Sequence, residues 1–442
     1  MKIERRTFIK TSAAVAASTL LVPNIIFGKE DRKARMGFIG VGLRGRSHLQ
    51  LCLQRNDIEI KAICDIDPEA IIISQKMLIK AGYKKIPAYQ DGETAFIKLL
   101  EQGDIDGVII ATPWVWHTRM ACAAMKAGIY AGVEVSAAIT LEECWDLVNT
   151  HEETGVPCMI LENVNYRRDV MAVLNMVRQN IFGELIHLEC GYQHDLRNIK
   201  FQPGVEFGEK GVSEARWRTY HSILRNGDVY PTHGLGPVAT MTNLNYGNRM
   251  MYLTSTASKA RGLHDYIVEK GGEDHPNADV KFKLGDVITT VIKTANEETI
   301  TIQHDTDLPR PYSLGFRVQG TKGLWMDVNK SIYIEGKSPE HQWEDAQPWL
   351  EKYDHPLWKK HAHLAEGSGH GGMDFFVVNA FIESIKRKTN TPLDVYDAAA
   401  WSSISPLSEE SIALGSQAVE IPDFTRGMWM KRKTRFALDD EY

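Results

Sequence analysis

The sequence predicts an α/β protein in two parts: an N-terminal doubly wound parallel sheet, then an α+β domain on a large open, mainly antiparallel sheet. Three observations carry this. Between residues 35 and 161, short apolar runs alternate with helical patterns of roughly ten to fifteen residues, the rhythm of a parallel sheet. From about Gly183 the pattern becomes strand-like segments separated by turns. At the first strand-to-helix junction stands Gly40-Val41-Gly42-Leu43-Arg44-Gly45.

Residues 35–41 read as the first strand and 43–54 as the helix after it. Residues 58–64 form the second strand and close on Asp65. Residues 107–111 are an unbroken apolar run, as in strands covered on both faces, and stop at Thr112-Pro113. A helix over 117–126, a strand over 129–135, a helix over 141–153 and a strand over 156–161 complete the parallel part. Strands of the second part are expected at 186–192, 251–258, 287–294, 299–304, 316–319 and 332–335. Residues 373–386 and 405–415 return as helices expected to pack back on the first domain. Residues 345–372, rich in His, Trp and Gly, read as a long ordered loop, of a length at which loops are often functional.

The 442 residues suffice for two domains with substantial cores. A net charge of -6 and the lack of a long basic run argue against a nucleic-acid partner. Six cysteines (Cys52, Cys64, Cys122, Cys144, Cys158, Cys190) include no CxxC pair, so no zinc site is expected. His355, His361, His363 and His370 form a loose group without carboxylate or thiolate support in the pattern, and no metal is expected there either.

Arg5-Arg6-Thr7-Phe8-Ile9-Lys10, followed by an alanine-rich apolar stretch interrupted by Pro23 and Asn24, reads as a twin-arginine export signal over residues 1–30. The expectation is export by the twin-arginine machinery to the periplasm or beyond. Such a substrate folds in the reducing cytosol, so buried free thiols are expected rather than disulfides.

Gly40 permits a tight turn, Gly42 lets the backbone approach a pyrophosphate, and Gly45 allows close helix–strand packing. The helix N-terminus adds amide donors and a positive dipole end. Asp65, 20 residues after Gly45, is placed to accept from ribose hydroxyls and to repel a 2′-phosphate, which favours NAD; Arg44 and Arg46 are the counterweight toward NADP. Residues 31–165 are thus expected to form a Rossmann NAD-binding domain and 166–442 a substrate domain. A chain that is exported with a nicotinamide cofactor cannot rely on cellular recycling, which favours chemistry returning the cofactor to its starting state.

The first half resembles the glucose-fructose oxidoreductase (Gfo/Idh/MocA) superfamily, most members of which carry Glu-Lys-Pro after the fifth strand. This chain has Glu134-Val135-Ser136 and lacks the Lys. That departure resembles glycoside hydrolase family 109, whose known activity is α-N-acetylgalactosaminidase. The likeness runs through Trp114-Val115-Trp116-His117, Glu134-Val135, Glu162-Asn163, residues 191–195, Trp217-Arg218, residues 230–237, residues 370–374 and residues 394–399.

The resemblance implies that Leu43, Arg44, Asp65, Trp114, His117, Glu134, Val135 and Asn163 contact NAD, and that Tyr192, Arg218, Tyr230, Pro231, Thr232, His233 and Tyr312 contact the sugar. It also implies a route in which the sugar is oxidised at C3, loses its C2 hydrogen and the glycosidic oxygen, takes up water and is re-reduced, so that a tightly bound NAD is recycled each turnover. His233, whose ordinary pKa lies near neutrality, is the expected acid/base residue, with Tyr230 as its catalytic partner. The sequence does not single out the group that removes the C2 proton. The alternative is an exported, NAD(P)-retaining oxidoreductase that shuttles hydride between two sugars, against which Val135 stands. A third reading is a non-catalytic sugar-binding protein, against which the intact glycine loop and Asp65 stand. A glycan or glycoconjugate is the expected substrate, and a homodimer paired through the open sheet is a further expectation.

Overall fold

The structure is a computed structural model and describes residues 33–442. The expected export signal therefore lies outside the described residues.

The first sheet contains β1 (Ala34–Ile39), β2 (Ile58–Cys64), β3 (Ala88–Tyr89), β4 (Gly107–Ile110), β5 (Tyr130–Val133) and β6 (Cys158–Ile160), all parallel, in the order β3-β2-β1-β4-β5-β6. The order reverses between β1 and β4, and in such sheets ligands bind beyond the strand ends at that point. β4 is buried along its whole length, which is why it reads as an unbroken apolar run. One cover is the helix Met373–Arg387. Gly107 and Gly132 make room for it: a Cβ on Gly107 would lie 2.4 Å from Ile385, and one on Gly132 would lie 2.9 Å from Phe381. The expected return of this helix onto the first sheet is thus observed, and two strand glycines explain how it fits.

The second sheet contains β7 (Leu185–Gln193), β8 (Met250–Ala257), β9 (Val287–Thr294), β10 (Thr299–Asp305), β11 (Arg317–Gly320), β12 (Gly323–Met326), β13 (Ser331–Ile334), β14 (Glu344–Asp345) and β15 (Val419–Glu420). Their order is β14-β13-β12-β11-β7-β10-β9-β8-β15, and every pair is antiparallel except β7 with β10. The sheet is therefore mixed. Along β9 and β10, Ile288, Ile292, Ile300 and Ile302 turn to the core while the alternate positions are more exposed, the period expected of a sheet buried on one face.

Two expectations are corrected. The helix expected over 405–415 runs Ile404–Ala413 and packs on the second sheet rather than the first, Ser411 Oγ accepting from the Ser255 amide of β8 at 2.8 Å. Residues 345–372 are not a loop but carry the helices Gln347–Lys352 and Pro356–Ala365, then a short 3-10 turn at His370–Gly372. Proline in the first turn starts both helices, where its missing N–H costs nothing. Leu357 and Trp358 bury the second, the Trp358 indole donating to the Tyr166 carbonyl at 2.8 Å. An abundance of His and Gly had masked this apolar face.

The same segment disperses its histidines. His355 Nδ1 caps the Pro356 helix, His361 packs on Tyr442, and His370 reaches Asp374. All six cysteines are free, and burial pushes the Cys52 thiol up to about 12.

The helix Thr232–Met241 crosses β7 at closest range. A Cβ on Gly234 would lie 2.5 Å from the Gly191 nitrogen, and one on Gly236 would lie 2.4 Å from Asn165 Oδ1 and 3.0 Å from Glu162 Cγ. Glycine at both positions lets this helix settle into the corner between β7 and the segment that follows β6.

Candidate active site

The phosphate loop has the shape that its glycines require. Gly40 sits at φ +84°, and a Cβ there would lie 2.5 Å from the Ala111 carbonyl oxygen. A Cβ on Gly45 would lie 1.9 Å from the Gly40 oxygen, whereas one on Gly42 would meet nothing within 4 Å. The helix Leu43–Leu53 has no side-chain cap and no acidic residue in its first turn, so its amide end is left for an anion. Asp65 is anchored by the amides of Val41 (2.7 Å) and Asp67 (2.9 Å), and burial nevertheless raises its pKa. Asn163 Oδ1 is buried without a partner. An open cradle, an anchored carboxylate at the end of β2 and an orphaned amide oxygen together fit a dinucleotide.

Both arginines of the loop are committed elsewhere. Arg46 donates to the Val41 carbonyl at 3.0 Å. Arg44 donates from Nε to Glu134 at 2.6 Å and from its two terminal nitrogens to Asp374 at 2.7 and 3.1 Å. Glu134 also takes His48 Nε2 at 2.6 Å, and Asp374 takes Asn163 Nδ2 at 2.7 Å and His370 Nδ1 at 2.7 Å. Burial alone would raise both carboxyls. Arg44 and His48 at Glu134, and His370 and Arg44 at Asp374, reverse that and hold both below the usual range. The arrangement removes Arg44 and Arg46 as ready binders of a 2′-phosphate.

Next to this network lies an aromatic cleft. Trp114 stacks on Tyr230 at 5.3 Å, and Tyr192 lies 4.7 Å from Tyr230. The Arg218 guanidinium lies 5.0 Å from the Trp114 ring, 5.2 Å from Tyr230 and 5.7 Å from Trp217, and pairs with Glu214 at 2.9 Å. It is a buried cation held by π faces and one carboxylate, ready to bond a polar group of a ligand. Burial raises the phenols of Tyr192 and Tyr230, for Tyr192 against the pull of Arg218. Both are therefore protonated at neutral pH and act as donors. Tyr312 closes the outer side, 6.3 Å from Tyr192 and 4.9 Å from His194, and is half exposed.

His233 is the second residue of the helix Thr232–Met241 and faces Tyr192 (5.4 Å) and Tyr230 (5.0 Å) edge-on. Its Nδ1 lies 2.7 Å from Oε1 of Glu162, a fully buried carboxylate that also accepts from the Val164 amide at 3.1 Å. A carboxylate only accepts, so Nδ1 carries the proton and Nε2 is the nitrogen left to exchange one.

The structure thus brings together Tyr192, Arg218, Tyr230 and His233, with Pro231 and Thr232 buried beneath them and Tyr312 at the rim. Trp114 joins this cleft rather than standing apart from it. Leu43 is largely exposed at the mouth of the phosphate loop, and Val135 is buried where the resemblance led one to look for Lys. His117 is placed differently from a ligand-facing group. It is 1% exposed, with its ring nitrogens 2.7 Å from the carbonyls of Ser136 and Thr112, so its side chain ties two loops together. Glu162, Asp374 and His48 were not named as site residues from the sequence. Glu162 carried a usable signal, because residues just beyond the carboxyl ends of parallel strands face the ligand crevice. Asp374 carried one only through the family likeness of residues 370–374, and His48 carried none.

Known proteins match both halves. Residues 34–162 match the oxidoreductase family with an NAD-binding Rossmann fold, and residues 166–431 match the glycosyl hydrolase 109 C-terminal domain. A glycosyl hydrolase family 109 protein of Stenotrophomonas maltophilia is 56% identical, over 100% of this chain and 99% of its own length. An alpha-N-acetylgalactosaminidase of Tannerella forsythia is 49% identical, over 99% of this chain and 100% of its own. Among solved structures, levoglucosan dehydrogenase with NADH aligns over 89% of this chain and 100% of its own with a TM-score of 0.64 at 18% identity, a likeness of fold. With a Rossmann cradle that fits NAD, a second domain matched over most of its length and close relatives across the whole chain, the protein belongs to glycosyl hydrolase family 109.

Proposed function

We propose that this protein hydrolyses terminal α-linked N-acetylgalactosamine from a glycan or glycoconjugate. It does so with an NAD that stays bound and is regenerated in every turnover. The observation that carries this reading is the Glu162–His233 pair, set among Tyr192, Tyr230 and Arg218 beside the cofactor cradle. Identity of the sugar rests on the Tannerella forsythia relative.

When bound, NAD supplies a hydride acceptor and donor for C3 of the sugar. The residues of the chain do the rest. Glu162 fixes the His233 tautomer and stabilises the imidazolium, so His233 Nε2 takes a proton from the substrate and returns one. Tyr192 and Tyr230, kept as phenols, donate to sugar oxygens and polarise the oxidised carbon. Arg218 holds a hydroxyl or the acetamido carbonyl, and Trp114 gives the cleft an apolar wall. Val135 stands where a Lys would carry a proton, so the proton lost on oxidation and regained on re-reduction passes through His233 and the tyrosines.

The twin-arginine segment supports export with the cofactor already in place, to the periplasm or outside the cell. Pairing of two subunits through the open sheet belongs to the same proposal, and a monomeric mass by light scattering would reject it.

The deciding assay is release of nitrophenol from 4-nitrophenyl α-N-acetylgalactosaminide by purified protein without added NAD. Release that is lost in His233→Ala supports the proposal. Absence of release, together with ketose-dependent oxidation of an aldose, would overturn it.

A further inference from the structure

The Pro356 and Met373 helices are joined by residues 366–372, which include four glycines, Gly367, Gly369, Gly371 and Gly372. Three of these have positive φ: Gly367 at +76°, Gly371 at +67° and Gly372 at +98°. Between Gly369 and Gly371 stands His370, itself at φ +52°. A side chain in the left-handed region is a local cost, and glycine is the usual occupant. A histidine there calls for a use.

Its surroundings indicate one. The segment lies against the phosphate-loop helix: a Cβ on Gly369 would be 2.7 Å from Asp374 Oδ2 and 3.6 Å from Ser47 Oγ. His370 Nδ1 is held by Asp374 at 2.7 Å and lies 3.4 Å from Arg44 Nη1, on the second residue of that helix. More than half of the His370 side chain is exposed, and Nε2 is the ring nitrogen that Asp374 does not hold.

Charge points the same way. Arg44 is matched by two carboxylates, Glu134 and Asp374, so this corner is short of positive charge just where the helix end receives a pyrophosphate. His48 Nε2 meets the same Glu134 oxygen as Arg44 and so is taken up by that carboxylate. The Pro356 helix meets the segment with uncharged Trp358 and Ala365 at Gly372, while its Lys360 and His361 turn to Asp440 and Tyr442. A protonated His370 makes up the deficit.

We infer that residues 366–372 form a strap across the cofactor's pyrophosphate, and that His370 is the phosphate-facing group of this strap. Asp374 orients the ring through Nδ1, and Nε2–H donates to a phosphate oxygen. The flanking glycines give the strap the freedom to lift and admit the nucleotide. The bond to Asp374 raises the His370 pKa against partial burial, so the imidazolium form is favoured and the strap weakens as pH rises. The inference concerns the cofactor site and is independent of which sugar is cut.

The test measures NAD binding to nucleotide-stripped protein by calorimetry between pH 6 and 8, for the native chain, His370→Asn and His370→Ala. Asn tolerates the left-handed backbone and removes the charge together with the Nε2 donor. Expected is a dissociation constant about tenfold weaker at pH 6 in both variants, worth roughly 1.4 kcal/mol. The weakening of NAD binding with rising pH should vanish with it, and ADP should show the same loss. Loss of the bond to Asp374 should lower the melting temperature of the nucleotide-free variants only slightly, because Arg44 and Asn163 still hold that carboxylate. Equal affinities and equal pH slopes in all three proteins would overturn the inference. The measurement reads binding alone, so failure of the glycosidase proposal would leave it intact, and its failure would leave that proposal intact.

Discussion

Glu162 Oε1 and His233 Nδ1 lie 2.7 Å apart although 71 residues separate them in the chain. Glu162 follows the last strand of the parallel sheet, and His233 is the second residue of a helix pressed against the second sheet. The contact therefore joins the two sheets at the point where chemistry is expected.

Replacing Glu162 with Gln should lower kcat by about 10²–10⁴, the usual worth of a positioned acid/base system. Gln is nearly isosteric, so the melting temperature should change little. NAD binding to the folded variant should be unchanged, so that the loss falls on kcat. An unchanged kcat would show that Glu162 does not act through His233.

Asp374→Ala should destabilise the fold by about 2–4 kcal/mol, at the low side for buried pairs because Arg44 keeps some contact with water. The sign with pH follows from the depressed carboxyls of Asp374 and Glu134. Their stabilisation is full above the ordinary carboxylate range and is lost as pH falls through and below about 4. The native chain should therefore lose melting temperature in acid more steeply than Asp374→Ala, which scanning calorimetry at pH 3 to 7 would resolve.

The glycines of the phosphate loop should separate by role. Gly45→Ala drives a Cβ against the Gly40 carbonyl and should cost stability, about 1–3 kcal/mol by overpacking. Gly42→Ala meets no protein atom and should leave the melting temperature alone while weakening NAD binding. Denaturant unfolding and nucleotide titration of the two variants give the comparison.

Gly234→Ala should push the His233 helix off Gly191, where a Cβ has only 2.5 Å to the nitrogen. A loss of about 1–3 kcal/mol is expected from the same overpacking. Activity should fall further than stability, since His233 moves with its helix; equal activity in the folded variant would count against this.

Much of the fold was readable in advance because its signals are local. The apolar run at β4, the glycine loop and the carboxylate at the end of β2 each depend on neighbours in sequence. The helices inside residues 345–372 were hidden because His and Gly diluted a short apolar face that only Tyr166 and the Met373 helix complete. The parallel pairing of β7 with β10 was equally out of reach, since each strand alternates in the same way whichever direction its partner runs.

The sequence by itself determined the NAD cradle and the succession of a parallel and a mainly antiparallel sheet, because backbone conformation and side-chain period are set locally; the residues of the cleft came from the family resemblance. Only the tertiary structure decided that His233 meets Glu162, that Arg44 is spent on Glu134 and Asp374, and that His117 serves the loops. Those outcomes depend on close approach between distant segments. Gly191, Gly234 and Gly236 permit it between the sheets, and Gly107 and Gly132 permit it beneath the Met373 helix. A glycine in a sequence shows that something comes near, and packing alone shows what.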